Sequence, residues 1–131
     1  MSNVDIARRS YEAFERKDMD AVVADMADEI RWEQAQGLPH GGLYEGLPAV
    51  IENVFDPLDE EWWAEFHAVP DEFLDAGENV VVLGRYTGRA KETGKPLDVP
   101  YVHVWTVRDG KVIRFRQFLD TAGWVAALSP L

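Results

Sequence analysis

The residues best suited to chemistry lie near the end of the chain, between Tyr101 and Asp120. Two β-prone segments flank Arg108-Asp109-Gly110-Lys111, a pattern that predicts two antiparallel strands joined by a tight turn. His103 lies in the first segment and Gln117 in the second, each among apolar or aromatic neighbours. A buried imidazole is neutral near pH 7 and can both donate and accept a hydrogen bond. His103 is therefore our candidate for the group that moves a proton in a catalytic site, the alternative being a core histidine whose hydrogen bonds are satisfied. Gln117 either anchors a ligand beside it or bonds His103 or the backbone, because an unpartnered buried amide costs ~1–3 kcal/mol.

The turn decides which side chains share a face of this hairpin. A three-residue loop, with Gly110 in the left-handed conformation, pairs Val107 with Lys111 and places His103 opposite Phe115. A two-residue loop would shift the register by one and mix arginines with His103. We favour the three-residue loop because it separates an apolar face from a charged one. The expected apolar face, which we interpret as the wall of a small-molecule pocket, comprises Tyr101, His103, Trp105, Val107, Ile113, Phe115, Gln117 and Leu119.

Other polar residues are weaker candidates. Asp120 is a possible second catalytic group, although its place before Thr121 and a helical turn fits an N-cap better. Gln34 is expected at the pocket mouth or in a loop, and Arg85 either faces outward or pairs with a buried acid. The aromatic residues expected to line a pocket and contact the substrate are Tyr11, Phe14, Trp32, Trp63, Tyr101, Trp105 and Phe115.

Composition excludes several classes of function. The 131 residues fit one domain, 1–131, and include no cysteine, so disulfides and thiol chemistry are excluded. The formal net charge is −11, which argues against nucleic acid or an anionic membrane as the partner. No apolar run approaches the length of a membrane span, and a signal-peptide pattern is absent, so we expect a cytoplasmic protein. The three histidines show no spacing that predicts a metal site, and we expect no cofactor.

Hydrophobic periodicity predicts helices early in the chain and strands later. Asn3 or Asp5 is the expected cap of the first helix, which Lys17-Asp18 ends. The other expected elements are a short helix over 20–26, a strand over 29–34, a loop over 36–46, a helix over 47–58, strands over 62–69, 72–74 and 79–87, the final hairpin, and a helical turn over 121–128. This order predicts an α+β fold, in which a curved antiparallel sheet wraps round the N-terminal helices to form a cone-shaped barrel with an apolar cavity.

Several segments together resemble SnoaL-like proteins. These are the polyketide-cyclase and ketosteroid-isomerase branch of the cystatin-like α+β barrels, a superfamily that also includes nuclear transport factor two. The resemblance extends from about residue 5 to 127 and implies a single SnoaL-like domain of that fold. The segments that carry it are Asp18-Met-Asp-Ala21, Glu29-Ile-Arg-Trp32, Gly41-Gly-Leu-Tyr-Glu-Gly46, Arg108-Asp-Gly-Lys-Val112 and Phe115-Arg-Gln-Phe-Leu-Asp120.

The resemblance also allows the family's catalytic positions to be compared with this chain. The tyrosine, base and oxyanion aspartate of ketosteroid isomerase fall on Ser10, Gln34 and His103, so that reaction is not expected. The water-activating aspartate of the related epoxide hydrolases falls on Gln117. Their Arg-x-Asp pair corresponds to Arg85-Tyr-Thr87, which lacks the aspartate. The polyketide-cyclase branch tolerates more variety, with histidines near its acid/base residue.

Two functions therefore stay open. The first is a cofactor-independent acid/base enzyme, of cyclase, isomerase or dehydratase type, acting on a hydrophobic carbonyl or polyketide-like compound through His103. The second is a non-catalytic module that binds an apolar or aromatic ligand. In both, we expect a homodimer, because the opposite face of the hairpin carries Val102, Val104 and Phe118 and is too apolar to face water.

Overall fold

A computed structural model describes residues 1–130. The strands are β1 (Met26–Gln34), β2 (Gly42–Glu45), β3 (Trp63–Ala76), β4 (Asn79–Ala90), β5 (Pro96–Arg108) and β6 (Lys111–Leu119). The helices are α1 (Asn3–Glu15), α2 (Met19–Val22), α3 (Leu47–Val50) and α4 (Thr121–Leu128), and two π-helical segments, π1 (Ile51–Phe55) and π2 (Leu58–Trp62), follow α3. The α+β class is confirmed.

The six strands form one curved, unclosed sheet in the order β2-β1-β6-β5-β4-β3. The prediction of an antiparallel sheet holds for every pair except β1 and β6, which run parallel. This pairing brings the strand after α2 beside the last strand of the chain. It therefore places the end of β1, where Gln34 lies, next to the part of β6 that carries Gln117.

Helix α1 lies against β3 and β4 through its apolar stripe. Ser2 caps it rather than the expected Asn3 or Asp5: the Ser2 hydroxyl accepts from the Asp5 N–H, and the Asp5 carboxylate accepts from the Ser2 N–H. This reciprocal capping box satisfies two of the free N–H groups of the first turn. The helix ends where Lys17 takes a left-handed conformation, and its buried residues are Ile6, Ala7, Ser10, Tyr11 and Ala13.

The final hairpin has the expected faces but not the expected turn. Arg108 pairs with Lys111, so the loop has two residues, Asp109 and Gly110, and both have positive φ. That combination is typical of the hairpin turn whose twist matches the strands. The three-residue loop and the His103–Phe115 pair were wrong.

A bulge in β6 corrects the register after this turn. Val107 pairs with Val112 but Thr106 pairs with Arg114, so Ile113 is the extra residue. Beyond the bulge His103 pairs with Gln117, and the apolar and charged faces separate as predicted. The bulge also changes one assignment, since Val112 is buried in place of Ile113.

The chain between β1 and β3 departs most from expectation. Residues 42–45 form β2 on the outer side of β1, inside what was predicted as a loop. The helix expected over 47–58 extends to Trp62 and is mainly π-helical. Such wide turns are rare and are frequently found at functional sites. In residues 1–130 we find no helix long and apolar enough to cross a membrane.

Candidate functional site

The concave face of the sheet, α1 and the π-helical segments enclose a cavity of about 60 Å³, which we call the inner cavity. Most of the surface of its lining is apolar. The polar members of the lining are Ser10, Tyr11, Gln34, Tyr86, His103 and Gln117, besides the indoles of Trp32, Trp105 and Trp124. No carboxylate belongs to the lining found among the described residues. The described lining therefore supplies no carboxylate for catalysis.

A chain of hydrogen bonds crosses the inner cavity through His103. The ring Nδ1 lies 2.6 Å from the Tyr11 hydroxyl, and Nε2 lies 2.5 Å from the Tyr86 hydroxyl. The Trp105 indole N–H donates to Tyr11 at 2.8 Å, and the Gln117 amide donates to Tyr86 at 2.8 Å. All five side chains are buried. His103 is thus held between two phenols.

Burial keeps every member of this chain neutral. It holds the pKa of His103 well below its usual value and raises the pKa values of Tyr11 and Tyr86. The cause in each case is the cost of placing a charge in an apolar surrounding. At neutral pH the site therefore consists of an uncharged imidazole between two uncharged phenols.

In either tautomer of His103, one of the two phenol O–H groups is not bonded to the imidazole. The Gln117 carbonyl accepts from the Ala35 N–H at 3.0 Å, which fixes its amide as a donor to Tyr86. If His103 carries its proton on Nε2, it donates to Tyr86, and the Tyr86 O–H is left free. If the proton is on Nδ1, it donates to Tyr11, and the Tyr11 O–H is left for the Tyr101 hydroxyl or for a ligand, because the indole of Trp105 can only donate. The Nε2 form therefore offers the Tyr86 O–H to a ligand.

Aromatic rings fix the plane of His103. The Tyr101 ring stacks on it with centroids 3.9 Å apart and an interplanar angle of 10°, and Phe115 packs at 4.7 Å. Tyr101 itself does not line the inner cavity. Its role is to hold the imidazole so that both nitrogens point along the Tyr11–Tyr86 line.

A second hydrogen-bonded group lies at the end of β1. The Trp32 indole donates to the Gln34 carbonyl oxygen at 2.7 Å, and the Gln34 amide nitrogen lies 2.7 Å from His40 Nε2. Burial lowers the pKa of His40 to about 4. His40 Nδ1 and the indole N–H of Trp124 are buried without a partner among the described residues.

The loop after β1 is built to hold His40 inside. A side chain at Gly41 would collide with the Ala35 carbonyl at 2.4 Å, and one at Gly37 would collide with Thr121 at 2.5 Å. The Tyr44 hydroxyl donates to the His40 carbonyl at 2.8 Å. This closely packed loop carries His40 into the core, whereas the sequence predicted only that it lies in a loop and is not part of a metal site.

An outer pocket of about 220 Å³ adjoins the inner cavity. The two share a wall made of Phe14, Phe55, Leu58 and Phe66. Two of these side chains come from the π-helical segments, and the rim carries Lys17 together with acidic residues. The inner cavity is small beside typical ligand sites of about 300–1,000 Å³. A ligand larger than a few atoms must therefore displace part of the shared wall and extend into the outer pocket.

The structure brings most of the predicted site residues together. The predicted residues that line the inner cavity are Tyr11, Phe14, Trp32, Gln34, His103, Trp105, Phe115 and Gln117. Gln34 is buried in the wall at the end of β1, so neither the pocket mouth nor the loop expected for it was correct.

Four predicted site residues lie outside the inner-cavity lining: Tyr101, which stacks on His103, and Asp120, Arg85 and Trp63. Asp120 is exposed and caps α4, its carboxylate accepting from the Gly123 N–H at 3.0 Å. Arg85 is exposed on the other face of β4 and pairs with Asp98 at 2.7 Å. Trp63 packs on Trp124 and borders the outer pocket. The alternation of side chains along β4 explains why Arg85 faces outward, because the buried residues of this strand are the even-numbered ones.

Sequence reasoning missed Tyr86, His40 and Trp124. Tyr86 has a signal, because it shares the parity of the buried Val80 and Val82 and is the polar residue on that face of β4. His40 and Trp124 have no comparable signal, since a loop and a short helix carry no alternation. Among residues 1–130, no group of three His, Cys, Asp or Glu side chains is placed to hold a metal ion.

The comparisons with known proteins agree with this fold. A family model described as a SnoaL-like domain matches residues 7–115. A crystal structure of an NTF2-like protein from Burkholderia thailandensis E264 is 36% identical, with 99% of each chain covered and a TM-score of 0.93. TerC, co-crystallised with polyporic acid, is 25% identical over 96% of this chain and 97% of its own, with a TM-score of 0.86. A protein described as a SnoaL-like polyketide cyclase from Jannaschia sp. CCS1 is 25% identical over 98% and 92% of the two chains, with a TM-score of 0.83. A comparison with curated proteins gives no match.

Proposed function

Because this chain belongs to the SnoaL-like domain family, we propose that its inner cavity binds a hydrophobic carbonyl compound and catalyses acid/base chemistry on it, of the cyclase, isomerase or dehydratase type. The observation that carries this proposal is the hydrogen-bonded chain Tyr11–His103–Tyr86. Structural neighbours support a small-molecule ligand, since TerC was crystallised with polyporic acid and another is described as a polyketide cyclase.

The chain can move a proton without forming a charge on the protein. In the form with the imidazole proton on Nε2, Tyr86 gives its proton to the ligand's carbonyl oxygen and takes one from His103. His103 Nδ1 takes the proton of Tyr11, and the Tyr11 oxygen takes one from the carbon next to the carbonyl. The result is an enol, neutral side chains and the other imidazole tautomer. That tautomer can begin the next turnover with the two phenols exchanging roles.

This route suits the surroundings of the site. A separated charge in an apolar cavity costs several kcal/mol, which the shifted pKa values of all three residues reflect. A concerted transfer through neutral groups avoids that cost. The free phenol O–H also provides the donor that an oxygen gaining negative charge requires.

A binding module is the second candidate. The observation that favours it is that both ring nitrogens of His103 are already hydrogen-bonded, so His103 reaches a ligand only through a phenol. In that case the free O–H fixes the ligand's oxygen and no proton is transferred.

Exchange of the α-hydrogens of 1-tetralone in deuterium oxide, followed by proton NMR, distinguishes the two candidates. We expect the wild-type protein to accelerate exchange and His103→Ala to abolish it while the circular-dichroism spectrum stays unchanged. His103→Gln serves as the second variant, because it preserves a polar group but cannot relay a proton. Full acceleration in either variant would contradict the relay. Binding of 1-tetralone by calorimetry without accelerated exchange would favour the binding module.

A further inference from the structure

We infer that Tyr101 decides which nitrogen of His103 carries the proton. In the free protein this proton lies on Nδ1, and a ligand oxygen that accepts from Tyr86 shifts the equilibrium to the form with the proton on Nε2. The inference rests on the proposed function only for the effect of the ligand, because the preference in the free protein follows from the side chains alone. Tyr101 is thus a positioning residue that acts through Tyr11, in addition to holding the imidazole plane.

The two phenols beside His103 have matching partners. Tyr11 accepts from the Trp105 indole at 2.8 Å. Tyr86 accepts from the Gln117 amide, also at 2.8 Å. Each phenol oxygen is also hydrogen-bonded to one imidazole nitrogen. A neutral imidazole donates to one phenol and accepts from the other, so the phenol that receives the imidazole proton needs another acceptor for its own O–H.

A third hydroxyl distinguishes Tyr11 from Tyr86. The rings of Tyr11 and Tyr101 are parallel, with an interplanar angle of 4° and centroids 6.4 Å apart. Burial is the main reason why the pKa values of both hydroxyls are raised, and the contact between the two hydroxyls adds to the pKa of Tyr11 and lowers that of Tyr101. These signs are those of a contact in which Tyr11 donates and Tyr101 accepts. The hydrogen bonds of Tyr86 among the described residues are those to His103 and Gln117.

Gly84 leaves the space that the Tyr101 hydroxyl occupies. A Cβ at position 84 would lie 2.5 Å from this hydroxyl oxygen and 2.3 Å from the Val69 carbonyl oxygen. Tyr101 is buried, does not line the inner cavity, and its hydroxyl is not in hydrogen-bonding geometry with any described residue. A buried hydroxyl without a partner costs stability. A small approach of Tyr11 would supply that partner, and this accounts for a hydroxyl that a ligand in the inner cavity does not reach.

The two forms of His103 differ in how many protons find an acceptor. With the proton on Nδ1, the imidazole donates to Tyr11, Tyr11 donates to Tyr101, and Tyr86 donates to Nε2. With the proton on Nε2, the imidazole donates to Tyr86, whose own O–H then has no acceptor among the described residues. Because an unpartnered buried donor is costly, we expect the Nδ1 form to exceed the Nε2 form by about ten-fold in the free protein.

A ligand oxygen reverses this preference. It accepts the Tyr86 O–H, which the Nε2 form offers without breaking another hydrogen bond. The ligand therefore selects the form from which Tyr86 gives its proton in the proposed relay. While the cavity is open, water gives a proton to Tyr86 as Tyr86 passes its own to Nε2, and water takes the Tyr11 proton as Nδ1 passes its proton to Tyr11. One proton enters and one leaves, so atoms and charge balance.

Nitrogen NMR distinguishes the two forms of His103 directly. In protein labelled with nitrogen-15 histidine, multiple-bond proton–nitrogen spectra at neutral pH show which ring nitrogen is protonated, and His103→Gln identifies the signals of this residue. We expect protonation of Nδ1 in the free wild-type protein and of Nε2 when 1-tetralone is saturating. Tyr101→Phe keeps the ring that stacks on His103 but removes the acceptor, so both forms should be about equally populated in the free variant.

Tyr44→Phe is the matched control, because it removes a hydroxyl that bonds a loop carbonyl and does not line the inner cavity. It should keep the Nδ1 form. Protonation of Nε2 in the free wild-type protein would overturn the inference, and this spectrum decides the point even if Tyr101→Phe fails to fold. An Nδ1 form that persists in folded Tyr101→Phe would also overturn it.

Failure of the proposed function looks different from failure of this inference. In that case 1-tetralone would leave the wild-type spectrum unchanged and calorimetry would detect no binding, while the free protein would still show an Nδ1 form that depends on Tyr101. Binding of 1-tetralone without a change of form would instead contradict the selection of the Nε2 form by the ligand.

Discussion

His103 and Gln117, which face each other on paired strands, meet at the hydroxyl of Tyr86. The imidazole Nε2 lies 2.5 Å from that oxygen and the Gln117 amide donates to it at 2.8 Å. The oxygen belongs to β4, so three neighbouring strands converge on one atom. The position of the imidazole is therefore set by Tyr86 as much as by its own strand.

Tyr86→Phe should impair both stability and proton exchange. The change removes only the hydroxyl and leaves the Gln117 amide hydrogen and His103 Nε2 without their partner. We expect the free energy of unfolding to fall by ~1–3 kcal/mol, measured by urea denaturation. Tyr44→Phe is the control, because its hydroxyl bonds a loop carbonyl and does not line the inner cavity. An unchanged exchange rate in Tyr86→Phe would contradict a role for this hydroxyl.

Stability should decrease in acid through His40. Burial lowers its pKa to about 4 in the folded protein, against about 6.5 in the unfolded chain. Between these values the unfolded chain binds a proton that the folded protein does not, so the free energy of unfolding falls as the pH falls. The loss from this residue amounts to at most roughly 3 kcal/mol at pH 4. Chemical denaturation of wild type and His40→Gln between pH 7 and pH 4 should show a shallower decline in the variant.

His67 provides the contrasting case for that measurement. A hydrogen bond to Glu65, and a second one to Glu15, raise the pKa of His67. The folded protein therefore holds this proton more firmly than the unfolded chain, and the stabilisation is present below the unfolded pKa and lost as the pH rises through the folded one. His67→Gln should accordingly make the decline in acid steeper. Equal slopes in all three proteins would show that other groups govern the acid response.

The two-residue turn makes Asp109 sensitive to substitution. Its φ of 51° is costly for a residue with a Cβ, and aspartate tolerates it better than alanine does. We expect Asp109→Ala to be less stable than Asp109→Gly by about 1 kcal/mol in thermal or urea unfolding. In the three-residue loop first expected, Asp109 would have an ordinary right-handed conformation and alanine would be tolerated, so the opposite ranking would exclude the turn described.

The convex face of the final hairpin should form a homodimer contact. Phe118 is 54% exposed there, and it pairs with Val102 across the two strands. This face also carries Arg114 and Arg116, so the proposed contact has an apolar centre, Phe118 and Val102, beside two arginines. Light scattering at micromolar concentration should give a dimer mass for the wild-type protein and a monomer mass for Phe118→Lys. A monomer mass for the wild type would refute this contact.

The sequence predicted the fold class and the face of the hairpin that forms the cavity wall, because both depend on alternation and turn residues. It also selected His103 and Gln117, which stand out as polar residues in an apolar run. It could not predict Tyr86 as their shared partner, because the sequence of neither strand alone determines the register between β4 and β5. The burial of His40 could not be predicted for another reason. It depends on the tight packing of a loop, and no local sequence pattern indicates such packing.

One feature explains why the predicted strand pairing of the final hairpin was wrong while its predicted faces were correct. The bulge at Ile113 shifts the register of β6 against β5 by one residue between the hairpin turn and the cavity wall. A two-residue turn with this bulge gives the same faces as a three-residue turn without one, so turn length and bulge can change only together if Phe115 and Gln117 are to stay inward. Loss of either feature alone would turn both side chains toward the convex face.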